Sequence, residues 1–287
     1  MPSTSKIPFV FFGTPHFAVF VLEELDAAGF KPSLIVTAPD KPQGRKLVIT
    51  PPPVKRWAIE RNISILQPEK LDSSFLYKLR TTDYGLFTVA AYGKILPKAL
   101  LDIPKHGVLN VHPSLLPRLR GASPVRSAIL EDERATGVSI MLMDEKMDHG
   151  PIVAQATIEL EPSEWPPKAR IFEELMAREG GKLLAEVMPE WIAGNITPEP
   201  QDDSKATFCK KITKEDGLID LSGDPYKNFL KIRGYDGWPG AYFFAERSNK
   251  KIRVKINDAE FSNGRLTLKR VTPEGKKEMG YEAFLRS

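Results

Sequence analysis

One cysteine, Cys209, stands in 287 residues. No internal disulfide can form, which fits a reducing compartment and leads us to expect a cytoplasmic protein. No apolar run approaches the roughly 18 residues that a membrane span needs. The apolar stretch at 7–12 is interrupted around its ends by Pro8, Gly13, Pro15 and His16. It therefore predicts a buried first strand rather than a targeting segment. Four histidines and the lone cysteine lack ligand spacing, so no four-ligand zinc site, and no metal, is expected. Neither GxGxxG nor GxxxxGK[ST] occurs. The turn Phe12-Gly13-Thr14-Pro15 resembles a nucleotide fingerprint in position only, and NAD and ATP are not expected.

What is present belongs to an ordinary globular chain, 41% hydrophobic and 27% charged. The net charge of +4 is unevenly placed. From Ser204 onward, 18 Lys and Arg face 11 Asp and Glu, a net of +7, whereas the first 203 residues net −3. A basic appendage on a near-neutral body suits a polyanionic partner. A solvated lysine-rich surface is the alternative.

Short apolar runs alternate with amphipathic segments through the first two-thirds. Strands are expected at 7–12, 34–37, 63–66, 84–91, 108–112, 138–143 and 152–160. Helices are expected at 17–28, 54–61, 71–79, 125–130 and 168–192. That alternation predicts an α/β fold, a Rossmann-like, doubly wound, mostly parallel sheet whose ligands sit beyond the strands' carboxyl ends. The segment TPEPQDDS near 197–204 breaks the pattern as a polar linker. Beyond it, KIRVKI at 251–256 and RLTLKR at 265–270 alternate with period two around a Ser262-Asn263-Gly264 turn signal. The expected division is a catalytic domain over 1–197, a linker over 198–204 and a small β-rich, barrel-like domain over 205–287.

Three stretches could carry chemistry. In VLNVHPSLLP at 108–117, an extended chain puts Asn110 and His112 on one side. Asn supplies an amide donor for a developing oxyanion, and His a proton near neutral pH. Pro113 holds His112 extended. The alternative is a turn-capping Asn and a satisfied strand-end His. In MDEKMDHG at 143–150, Asp144 and Asp148 sit where a loop over the sheet's carboxyl end begins. A carboxylate there could orient His112, although Asp is also common in plain turns. Residues 39–55, PDKPQGRKLVITPPPVK, form a long cationic loop with Lys41, Arg45, Lys46 and Lys55. Such a loop suits an arm that closes on phosphates, or a tolerated surface insertion.

At these residues the chain resembles the methionyl-tRNA formyltransferases over nearly its whole length. The resemblance rests on FGTPHFA at 12–18, the loop at 39–55, VAAYGKILPKALL at 89–101 and NVHPSLLPRLRGASP at 110–124. It continues through TGVSIMLMDEKMDHGPI at 136–152 and ATFCKKITKEDGLIDL at 206–221. The loop's GRKLVIT is less densely cationic than in many relatives. The resemblance implies a Rossmann-like domain with a small C-terminal barrel, and 10-formyltetrahydrofolate as formyl donor. It assigns catalysis to Asn110, His112 and Asp148. It assigns folate contact to Ser114, Leu115, Leu116 and Pro117, and pterin contact to loops holding Ala90, Ala91, Tyr92, Met143 and Asp144. The acceptor it implies is initiator methionyl-tRNA, held by the cations of the 39–55 loop and by the basic tail. A monomer is expected. The competing readings are a formyltransferase acting on a glycinamide nucleotide or amino sugar, a hydrolase releasing formate, and a non-catalytic RNA-binding protein.

Overall fold

The computed structural model describes residues 8–44, 47–247 and 250–286. Contacts divide the chain into two compact units. The larger holds the chain through Arg120 together with Gly137–Ile158 and Glu174–Thr207. The smaller holds Gly121–Thr136, Glu159–Glu173 and everything from Phe208 onward. The division expected from the linker meets this one near residue 207. The contacts, however, also assign residues 121–136 and 159–173 to the smaller unit, and the linker residues to the larger.

The larger unit begins with β1 (Phe9–Gly13), α1 (His16–Ala27) and β2 (Leu34–Val36). A short hairpin of β3 (Lys41–Gln43) and β4 (Val48–Thr50) follows, then α2 (Pro53–Glu60), β5 (Ser64–Leu66) and α3 (Ser73–Arg80). In chain order there follow β6 (Leu86–Ala90), α4 (Lys98–Leu101), β7 (Val108–His112), the two-residue β8 (Arg120–Gly121), α5 (Pro124–Leu130), which belongs with the smaller unit, β9 (Thr136–Leu142), β10 (Ile152–Ile158) and α6 (Ala169–Ala193), whose residues up to Glu173 also belong with the smaller unit. Seven strands make one sheet in the order β10-β9-β7-β6-β1-β2-β5. β5, β2, β1, β6 and β7 run parallel, and β9 is antiparallel to β7. The mostly parallel sheet expected from the alternation is therefore present. The chain winds outward from β1 through β2 to β5 and then returns to place β6 on β1's other side. The β1/β6 boundary is thus the switch point, where the carboxyl ends of strands open a crevice.

Both faces of the sheet are covered, as the unbroken apolar run FVFF of β1 requires. Phe9 and Phe11 enter one apolar layer with Val21, Leu22 and Leu184. Val10 and Phe12 enter the other with Phe75, Leu79 and Phe87. β7 alternates in the same way, Leu109 and Val111 facing the first layer and Val108 the second. The 39–55 loop was expected to be an irregular arm. Instead, Lys41–Gln43 pairs with Val48–Thr50, because the β-branched Val48-Ile49-Thr50 run supplies a second short strand. No helix of the described residues is long and apolar enough to cross a membrane.

In the smaller unit, β11 (Phe208–Cys209) precedes α7 (Pro225–Gly234), β12 (Tyr242–Arg247), β13 (Lys250–Ser262), β14 (Arg265–Pro273), β15 (Met279–Gly280) and α8 (Tyr281–Arg286). β12 to β15 form a four-stranded antiparallel sheet in sequence order. β13 and β14 turn at Asn263-Gly264, both at positive φ, the backbone that a two-residue hairpin demands. Val254, Ile256, Leu268 and Val271 face a core shared with Ile232 and Phe284.

α6 carries Gly180-Gly181 mid-helix, where each glycine costs about 1 kcal/mol relative to alanine. The reason is close approach. A Cβ on Gly180 would overlap Val111 Cγ1, and one on Gly181 would lie 2.8 Å from Glu24 Cβ of α1. The helix therefore lies directly on the middle of β7. Gly180→Ala should lower stability by about 1–3 kcal/mol, reversing the usual helix preference, as read by urea unfolding. A gain in stability would show that α6 does not press on β7.

Candidate functional site

β7 is buried along its whole length. Its polar residues Asn110 (8% exposed) and His112 (4%) sit two apart, and so share the face opposite Val111. In register, Asn110 lies between Val89 of β6 and Met141 of β9, and His112 is opposite Ser139. The Asn110 carboxamide makes no hydrogen bond among the described residues. The amide does not count among the buried polar atoms cut off from solvent without a partner, so it stays open to water or to a ligand.

His112 is fixed by two neighbours. Its Nε2 lies 3.1 Å from the Leu119 carbonyl, which can only accept, so Nε2 carries hydrogen. Nδ1 then faces Asp148, 3.7 Å from Oδ1. That is near enough for charge interaction but longer than a hydrogen bond. The nitrogen free for proton traffic is therefore Nδ1, on the Asp148 side. Three non-glycine residues at positive φ stand in the loops around this group: Ala91 after β6, Leu119 and Asp148. None is Asn, the residue most at ease there, and strained backbone of this kind concentrates at functional sites.

The segment after His112 is fastened from below. Ser139 Oγ donates to the Ser114 carbonyl at 2.6 Å and accepts from the Leu116 amide at 3.1 Å. Gln155 Nε2 donates to the Leu116 carbonyl and to Ser139 Oγ. Ser114 spends its own hydroxyl on the Arg118 carbonyl, 2.6 Å away. Ser114 and Leu116 are buried, whereas Leu115 and Pro117 are half-exposed, so the latter two present the open surface of this loop.

At the end of β6, Ala90 is buried and Ala91 exposed. Tyr92 is buried among Phe12 and its neighbours, its ring edge-on to Phe12 at 5.4 Å. Its hydroxyl has no hydrogen-bond partner among the described residues, and burial pushes the phenol up to about 12. The Tyr92 carbonyl accepts from Thr14 Oγ1 across the switch point. Met143 packs against the same layer. Asp144 holds His149 Nδ1 at 2.6 Å, so it acts on that ring rather than on His112. Among the loop cations, Lys41 is exposed at the start of β3. Lys55 is bound by Asp40 at 2.7 Å, and the hydrogen bond from Gln67, together with Lys55, holds Asp40 below the usual carboxylate range. Arg45 and Lys46 lie outside the described residues. Among the described residues no group of His, Cys, Asp and Glu could hold a metal ion.

Sequence reasoning missed the group that holds the Asp148 loop. Gln201 Nε2 donates to the carbonyls of Asp148 (2.9 Å) and Gly150 (2.7 Å). Its Oε1 accepts from Arg120 Nε and Nη2, and buried Arg120 also reaches Asp203 at 2.8 Å. Arg120 had a visible signal, an arginine inside an apolar motif. Gln201 had none, since TPEPQDDS has the composition of any polar linker. Gln201→Ala should speed amide exchange across 143–150 by about tenfold, the loss of roughly one to two net hydrogen bonds. Unchanged exchange would mean that the loop is held by other contacts.

Residues 5–186 match the formyl transferase family. The methionyl-tRNA formyltransferase of Chloroflexus aurantiacus strain J-10-fl is 48% identical over 259 residues, 88% of this chain and 82% of that protein. The methionyl-tRNA formyltransferase of Bacillus subtilis strain 168 is 38% identical over 299 residues, covering 96% and 93%. In fold, the chain is similar to a methionyl-tRNA formyltransferase from Clostridium thermocellum (TM-score 0.62, 18% identity, 93% of this chain and 98% of that one). It is equally similar to an N-formyltransferase from Helicobacter canadensis crystallised with folinic acid and dTDP-3-aminofucose (TM-score 0.63, 17% identity, 96% and 98%). The identity and coverage of the curated relatives, on top of a strand end bearing Asn110 and His112 against Asp148, place the chain in the methionyl-tRNA formyltransferase family.

Proposed function

We propose that the chain moves the formyl group of 10-formyltetrahydrofolate onto the α-amine of methionine on initiator methionyl-tRNA. The observation that carries the chemistry is the unpartnered Asn110 amide beside His112, one strand from the switch-point crevice, with Asp148 facing the free imidazole nitrogen.

The amine lone pair attacks the formyl carbon, forming the new C–N bond and a tetrahedral oxyanion. Asn110 Nδ2 donates to that oxygen, and because the amide is carried on a buried strand, little backbone reorganisation is needed. The ammonium formed by attack must lose a proton, and N10 of the folate must gain one as its bond to the formyl carbon breaks. His112 Nδ1 and Asp148 together can carry that proton from one nitrogen to the other. Gln201 holds the Asp148 backbone, and the Asp148 carboxylate faces His112 Nδ1.

Leu115, Pro117 and Ala91 supply open surface for the folate, and Ser114, Leu116 and Tyr92 shape it from beneath. The uneven charge supports tRNA as acceptor, with Lys41 the best placed of the described loop cations and Arg45 and Lys46 assigned the same role. The form in which it works is taken to be a cytoplasmic monomer.

The test is to incubate the protein with 10-formyltetrahydrofolate and charged initiator tRNA and to measure formylmethionyl-tRNA. Asn110→Ala and His112→Ala should each cut kcat by at least about 10²-fold while remaining folded at the assay temperature, as read by circular dichroism. Activity within a few-fold of the parent in either variant would remove that residue from the reaction. Absence of product from the parent would overturn the assignment.

A further inference from the structure

We infer that the smaller unit carries a binding site for a phosphate monoester, built around Arg233 and Lys255. A cavity of about 490 Å³ opens between α7, the loop after it and the β13–β14 face. That volume lies within the range of small-ligand sites. Five cations and three carboxylates line it. Lys168 is paired with Asp258 at 3.1 Å, Arg170 with Asp236 at 2.9 Å, and Arg270 with Glu278. Every lining carboxylate is thus engaged, and two cations remain. Neither Arg233 nor Lys255 has a carboxylate within ion-pair distance among the described residues.

Arg233 is the costlier of the two. It is half-buried beside the ring of Phe229, 5.6 Å away, and its Nε donates to the Pro166 carbonyl at 2.8 Å. That bond and the ring fix the guanidinium, and neither terminal nitrogen makes a hydrogen bond among the described residues. Burial lowers its pKa, and the distant charges of Asp258 and Asp236 only partly offset this. A fixed, partly desolvated guanidinium with an open fork matches phosphate oxygens two at a time.

The backbone is shaped for the neighbouring cations. Gly237 and Gly240 both have φ of +81°. A Cβ on Gly237 would stand 2.7 Å from Arg170 Cδ, and one on Gly240 3.0 Å from Lys255 Cε. The stems of both cations lie over bare backbone, and that is what lets them reach the cavity. The two unpaired charges equal those of a phosphate monoester dianion, whereas an internal phosphodiester would match only one.

Two sources share that chemistry: a free nucleotide or sugar phosphate, and the 5′-terminal phosphate of an RNA. The assignment stands whether or not the Asn110 group transfers formyl. The full chain should be titrated calorimetrically with AMP and with adenosine, and its affinity for initiator tRNA measured before and after removal of the 5′ phosphate. Lys255→Gln, on an exposed strand position, and Arg233→Lys are the variants. If the ligand is free, AMP binds, adenosine does not, and each variant weakens AMP by about tenfold, the worth of one charge-assisted hydrogen bond. If the ligand is an RNA end, dephosphorylation weakens tRNA by about tenfold in the parent and much less in the variants. Should AMP bind no better than adenosine and the 5′ phosphate make no difference, the site is refuted, and formyl transfer, measured separately, is untouched.

Discussion

β7 is held between two apolar layers, and the packing of one of them decides where its polar residues go. Gly180 brings α6 down onto Val111. With Val111 fixed against that helix, the pleat obliges Asn110 and His112 to the other face. A slip of one residue in register would send both into the α6 layer, where Leu109 and Val111 now pack, so the hydrophobic pattern protects the chemistry. The rest of the site is built outward from that strand. β6 brings Ala91 and Tyr92 to its edge, and β9 brings Ser139 against the turn that follows His112.

The group is poised by what surrounds it rather than by direct bonds within it. Asn110 makes no hydrogen bond among the described residues, and His112 meets Asp148 at more than hydrogen-bond distance. The firm contacts lie one layer back. Leu119 takes Nε2, Ser139 and Gln155 hold the loop at 114–117, and Gln201 holds the carbonyls on either side of His149. A site arranged this way keeps the backbones of its reactive residues in place as the site tightens on substrate.

The sheet was legible because its signals are local and strong. FVFF, LIV and VLNVH are runs that only a covered sheet can bury, and Pro15, Pro53, Pro97 and Pro124 between them mark helix starts. Asn110 and His112 were legible from a period of two. The hairpin at 41–50 was not, because KPQ is polar and Val48–Thr50 lies largely exposed, so neither is a run that a covered sheet must bury. The residues alone left open which of two acids four residues apart faces His112, and it was the resemblance that assigned Asp148. Nothing in MDEKMDHG says that His149, rather than His112, is the ring Asp144 meets. Gln201 could not be found, since its partners are backbone carbonyls some fifty residues away. The clustering of 121–136 and 159–173 with the C-terminal residues likewise depends on contacts between distant parts of the chain.

The central claim is that proton transfer runs through the imidazole nitrogen facing Asp148. Asp148→Asn preserves shape and removes the charge. With saturating 10-formyltetrahydrofolate and charged initiator tRNA, the variant's kcat should fall by at least about 10²-fold, the lower end of general acid–base contributions. KM for the folate should change little, because Asp148 acts on His112 and not on the bound ligand. A kcat within a few-fold of the parent would contradict the account and leave Asp148 an ordinary loop acid.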